Sequence, residues 1–211
     1  MAYPTVDAPY GLVPINLIGG TPYAGSTRQM KIASGYATNI FNGDVVKRAA
    51  DGTIQKETGT TSVTATGVIG VFVGVTYTDP STSQKTFKQY YPASTAASDI
   101  QAYIVDDPNV LMKVAVVSGT TTIAGIAYGS IGSNAALVQN AGSTTNGNSK
   151  VAVLSTSVAT TLSLPMRIVD VVEESTDTSG NYTEVLVKWN APHESSNVAT
   201  GGHAYMVGTG L

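Results

Sequence analysis

Glycine and proline interrupt most segments that could carry apolar residues at three-and-four spacing, 22 and 9 of them in 211 residues. No long stretch reads as an amphipathic helix behind a cap. Strand patterning is plentiful instead. TRQMKIA (27–33) alternates Met30 and Ile32 against Gln29 and Lys31, and DVVKRA (44–49) follows a polar turn at Asn42-Gly43. Asp51-Gly52 reads as a two-residue hairpin turn into TIQKE (53–57). VIGVFVGVTYT (68–78) is nearly continuous in apolar residues, with glycines at 70 and 74. Such a run predicts a strand buried on both faces, or one that curves where a barrel closes.

QKTFKQYYP (84–92), DIQAYIVDD (99–107) and NVLMKVAVV (109–117) continue the series, the last two joined by a turn at Asp107-Pro108. LPMRIVDVVEE (164–174) and NYTEVLVKWN (181–190) read as a closing hairpin. The predicted fold is all-β, a barrel or sandwich of short antiparallel strands. Between Ser118 and Ser163 the pattern weakens to one convincing strand, KVAVL (150–154), yet Ile123, Ile126, Leu137 and Val138 are too many apolar groups for a linker. An excursion or subdomain is expected there. The organisation expected is an extended N-terminal arm (1–25), a β domain (26–190) and a C-terminal arm (191–211).

The N-terminal arm, DAPYGLVPINLIGGTPY (7–23), is strongly apolar but broken by proline and glycine. Pro14 and Pro22 exclude a helix and disfavour a central strand. Its composition is equally unlike a disordered tail. Tyr10, Leu12, Val13, Ile15, Leu17, Ile18 and Tyr23 are the expected partner-binding residues, covered by a barrel face or by another subunit, and the second alternative is favoured. Tyr205, Met206 and Val207 form a secondary set in the C-terminal arm. Deletion of residues 1–23 is expected to leave a folded β domain.

Composition removes several function classes. A formal charge of -3, with 12% charged residues, provides no basic footprint for nucleic acid or an anionic membrane. No apolar run is long enough to span a bilayer, and MAYPTVDAPYG lacks the pattern of a signal peptide, so a soluble chain made in a cytosol is expected. The absence of cysteine removes disulfides, zinc–cysteine sites and a thiol nucleophile. His193 and His203 sit among Pro, Ser and Gly, where nothing orients an imidazole, and with Glu194 they match no metal-ligand spacing. Asp106-Asp107-Pro108-Asn109 reads as a turn capped by Asp more readily than as a cation site. Glu173, Glu174 and Asp177 read as a solvated hairpin tip, and no phosphate loop or nucleophile elbow is present. No catalytic residue, metal or cofactor is expected. The 11 tyrosines, among them Tyr3, Tyr10, Tyr23, Tyr36, Tyr90, Tyr91 and Tyr205, leave a carbohydrate-binding module as an alternative.

The order YGLVPINLIGG-TPYAGSTRQMKI, GDVVKRAADGTI, GVIGVFVGVTY, QYYPA, AYIVDDPNVLMKV, LPMRIVDVVEE and EVLVKWN-APHE resembles head decoration or cement proteins of tailed bacteriophages, especially aquatic ones. The resemblance runs from about Tyr10 to His193; YIVDDPNVLMKV and the arm are its distinctive parts. It implies a non-enzymatic virion protein, made in the host cytoplasm, that binds the outside of the capsid. There it bridges copies of the major capsid protein as a homo-oligomer, with a trimer favoured over a dimer. Other virion positions, in a tail tube, connector or fibre, are the alternative.

Overall fold

The computed structural model describes residues 6–60 and 68–190, together with the backbone pairing of 193–195 and 198–200. In chain order the strands are β1 (Val13–Leu17), β2 (Arg28–Lys31), β3 (Val45–Arg48), β4 (Ile54–Lys56), β5 (Val68–Thr78), β6 (Lys85–Lys88), β7 (Gln101–Val105) and β8 (Val110–Val117). They continue with β9 (Asn134–Ala135), β10 (Leu137–Val138), β11 (Ala152–Leu154), β12 (Met166–Val171), β13 (Glu184–Trp189), β14 (His193–Ser195) and β15 (Val198–Thr200). Three short 3-10 turns are the only helical segments among the described residues. The chain is all-β.

Two sheets organise the molecule. The first runs β10-β11-β8-β13-β12-β9, with β1 added on β8. β9 and β10, at opposite ends of that order, are separated in the chain only by Ala136, so the sheet curls into a nearly closed, barrel-like form. Its β8–β11 pair is parallel and its other pairs are antiparallel. The second sheet, β2-β7-β5-β3-β4 with β6 on β5, is antiparallel throughout, and a bridge between Ile32 and Ile54 brings its outer strands together.

β5 serves both cores. Val68, Val71 and Val73 pack with Trp189, Met112 and Val187 in the first; Ile69, Phe72, Val75 and Tyr77 pack with Ile104 and Tyr91 in the second. A regular strand would divide its residues strictly by parity. Here the register against β3 skips Ile69 and the register against β7 skips Val73, and each bulge shifts the phase. A glycine follows each one. A Cβ at Gly70 would run into the Val105 carbonyl, so this residue lets β7 approach the bulged strand. The double-sided burial expected from VIGVFVGVTYT is therefore achieved through two bulges.

Some expectations require correction. The β3–β4 hairpin forms, but its loop is one residue longer than Asp51-Gly52 suggests. The N–H of Gly52 donates to the Ala49 carbonyl at 3.0 Å, and Gly52 adopts φ 81°. Ala50 and Asp51 thus make the turn, and Gly52 takes the left-handed position after it. The segment 118–163 is integrated in the first sheet, because Ile126, Ala135, Leu137, Val151 and Val153 join one core with β8 and β13. Its small residues allow strands too short to show a period. Within the C-terminal arm, His193–Ser195 and Val198–Thr200 pair as a hairpin.

Candidate functional site

The N-terminal arm divides into an anchored part and a presented part. Leu12 is fully buried in the first core, and β1 pairs antiparallel with β8 along Val110–Lys113. Leu17 and Tyr23 pack on the same core, and Ile15 is half-buried at a bulge. The Tyr10 hydroxyl donates to Glu184 Oε1 at 2.5 Å, and Lys113 Nζ lies 3.0 Å from the same oxygen. The Tyr23 hydroxyl donates to the Ser26 carbonyl. Only Val13 and Ile18, 40% and 44% exposed, present substantial apolar surface. The arm is thus a strap on its own barrel, contrary to the alternative favoured from sequence. The reason is the open side of β8 ahead of β11, which β1 fills.

Pro14, the Ile15 bulge and the fold-back that sets Asn16 opposite Pro22 blunt the outer edge of β1. The strap is fixed at its far end by Ile18, whose N–H donates to the Asn109 carbonyl at 2.9 Å. Tyr205, Met206 and Val207 lie outside the described residues.

Burial, reinforced by the hydrogen bond and charge of Glu184, pushes the Tyr10 phenol well above its ordinary value. Above about pH 10 the unfolded chain therefore ionises first, and the contribution of Tyr10 is lost as pH rises. The opposite sign holds for Asp51, Asp79 and Asp99, lowered mainly by hydrogen bonds from Thr53, Ser81 and Thr78. Their contribution is present above about pH 4 and is lost as pH falls below it. Urea midpoints measured across pH should show a neutral plateau that declines on both sides. Tyr10→Phe should flatten the alkaline limb; an unchanged limb would remove Tyr10 from this account.

The acidic turns behave as turns. Asp107 Oδ1 accepts from the Asn109 N–H at 2.8 Å, and Asp106 pairs with Arg28 at the same distance. Asp177 Oδ1 accepts from the N–H groups of Ser179 and Asn181. Among the described residues no three His, Asp or Glu side chains are grouped to hold a metal ion. A cleft of about 500 Å³ opens where the two sheets meet, beside Asn39, Phe41, Lys56, Gln139 and Asn140, and among the described residues no carboxylate or histidine lines it. Several of its polar groups serve the fold already. Asn39 Oδ1 accepts from the Ala93 N–H, Asn140 Nδ2 donates to the Lys150 carbonyl, and Lys56 pairs with Asp44.

The tyrosines singled out from sequence do not make a common platform. Tyr36 and Tyr91 pair at the second core, Tyr90 stacks on Phe41, and Tyr10 and Tyr23 belong to the strap. Tyr3 and Tyr205 lie outside the described residues. Two aromatic pairs among the described residues carry an exposed ring, Tyr128 with Tyr182 and Phe87 with Tyr103, and the second includes no residue singled out from sequence. The available signal was a phenylalanine between lysines on a short strand, KTFK.

The chain matches no family model, no curated protein and no solved structure. Among the described residues no helix is long and apolar enough to cross a membrane.

Proposed function

We propose that this chain is a bacteriophage head decoration protein, which binds the outer capsid surface and bridges copies of the major capsid protein as a symmetric oligomer. A trimer is favoured over a dimer. One observation carries the reading: the two distinctive stretches of the resemblance form a single unit. YIVDDPNVLMKV supplies the end of β7, the turn after it and the first part of β8, and the arm lies along that β8 segment, with Leu17 opposite Val110 and Val13 opposite Lys113. A low charge content suits a surface that meets a shell through many weak contacts. The partners are protein; nucleic acid and membrane play no part in this proposal.

Val13 and Ile18, at the two ends of the strap, supply the aliphatic contacts to the shell. Covering the 40% and 44% of their surface still exposed recovers a little under half of the about 1.5–3 kcal/mol of a fully buried aliphatic side chain, about 1 kcal/mol each. Replacing both with Asp should reduce co-sedimentation with expanded heads by about tenfold or more, with the thermal midpoint retained. Co-sedimentation equal to that of the unmodified chain would sink the role of the strap. Particle reconstruction tests the position itself: copies spread over the shell support decoration, whereas a single ring at one vertex or along the tail would overturn it.

A further inference from the structure

The outer face of the second sheet takes no part in the strap or in either core. Its strands β6, β5, β7 and β2 turn Val75, Tyr77, Ala102, Ile104 and Met30 inward. On the outward face, Phe87 of β6 lies opposite Thr76, Tyr103 of β7 opposite Gly74, and Gln29 of β2 opposite Tyr103. The Phe87 and Tyr103 rings lie 5.8 Å apart, with their planes at 56°, and form a shallow aromatic corner. Phe87 is 64% exposed, more than the other large exposed apolar side chains. One face of its ring covers Gly74, where an added Cβ would meet it at 2.8 Å. That contact accounts for the ring's inner face only.

Around the corner stand the amides of Gln29 and Gln101 and the hydroxyl of Thr76, with the exposed Lys31 on the same face opposite Gln101. Lys85, at the margin, is compensated by Asp99 at 3.6 Å. Aromatic rings within a few neutral donors and acceptors are the chemistry that receives a sugar, whose C–H face stacks on a ring while its hydroxyls bond at the sides. A second protein fits less well. A stable interface covers about 800 Å² on each partner around an apolar core. The two rings here, at about 150–250 Å² each even if fully covered, fall short of it, and they have no aliphatic neighbours on their face. Single-stranded nucleic acid would require a basic groove beside the rings, and the chain carries a formal charge of -3.

We propose that this face binds a neutral saccharide, with a pyranose ring seated on Phe87 and Tyr103 and its hydroxyls bonded to Gln29, Gln101 and Thr76. The proposal is independent of capsid binding. The test titrates the full chain with cellohexaose, chitohexaose and mannohexaose, each up to about 10 mM, by calorimetry and by NMR. At least one should bind and shift the resonances of Gly74, Thr76, Phe87 and Tyr103. Phe87→Ala should weaken that binding by about tenfold or more, and Phe87→Tyr should retain it. Because Phe87→Ala also uncovers Gly74, Gln101→Ala, which leaves both rings in place, is measured alongside and should lower affinity several-fold without changing the thermal midpoint. Failure of all three probes to bind would overturn the proposal, as would equal affinity for the unmodified chain and both alanine variants. Self-association abolished by Phe87→Ala would identify a second copy as the occupant and overturn it equally.

Discussion

A chain lacking residues 1–23 is expected to lose its cooperative urea transition, and Leu12→Ala in the full chain to lower stability by about 2–5 kcal/mol. Leu12 has no exposed surface and packs in one cluster with Val45, Met112 and Trp189. Deletion removes that side chain, the pairing of β1 with β8 and the hydrogen bond from Tyr10 to Glu184. A hydrogen bond to a charged group contributes about 1.5–3 kcal/mol. Together these losses approach the whole stability of an ordinary domain, about 5–15 kcal/mol. Trp189, 1% exposed in the same core, makes its fluorescence a direct probe of the transition. A truncated chain that unfolds at the midpoint of the full chain would refute the strap. Arm deletion consequently cannot distinguish lost shell contacts from a lost fold, and the exposed pair Val13 and Ile18 is the informative target for assembly.

The contrast between the strap and the strands marks what local pattern encodes. β5, β8, β12 and β13 were readable because alternation and turn residues are properties of neighbouring positions. The apolar content of the arm was equally readable, but its cover was not, because that depended on β8 leaving one side open. The segment 118–163 hid its strands, two or three residues long, among small residues. The aromatic corner was less legible still. Phe87 and Tyr103 meet only because Val73 bulges and sets Gly74 opposite Tyr103, an outcome of tertiary register. Asp44 read only as the first residue of the strand DVVKRA after a polar turn, and nothing local announced its distant partners Lys56 and Ser149.

That buried carboxylate supports the second large prediction: Asp44→Ala should cost about 3–5 kcal/mol. Asp44 is fully buried where β3 begins, and its two oxygens hold separate parts of the fold. Oδ2 accepts from the Phe41 N–H and from Lys56 Nζ, each at 2.8 Å, and Oδ1 accepts from the Ser149 hydroxyl at 2.6 Å. Ser149 in turn accepts from the Val151 N–H and thereby links the second sheet to the approach of β11 in the first. Alanine would leave the Lys56 ammonium, 10% exposed, facing the Phe41 ring 5.8 Å away without its carboxylate, and would strand the Phe41 and Ser149 donors. Asp44→Asn should cost less, since an amide oxygen still accepts a hydrogen bond. If the cost comes chiefly from the orphaned charge, Lys56→Met on the Asp44→Asn background should recover stability, although Lys56→Met alone destabilises by isolating the carboxylate. Urea denaturation of the four chains measures the cycle. A loss under about 1 kcal/mol for Asp44→Ala, or strict additivity of the Asp44→Asn and Lys56→Met costs, would show that the two sheets are joined by apolar packing without help from this charge pair.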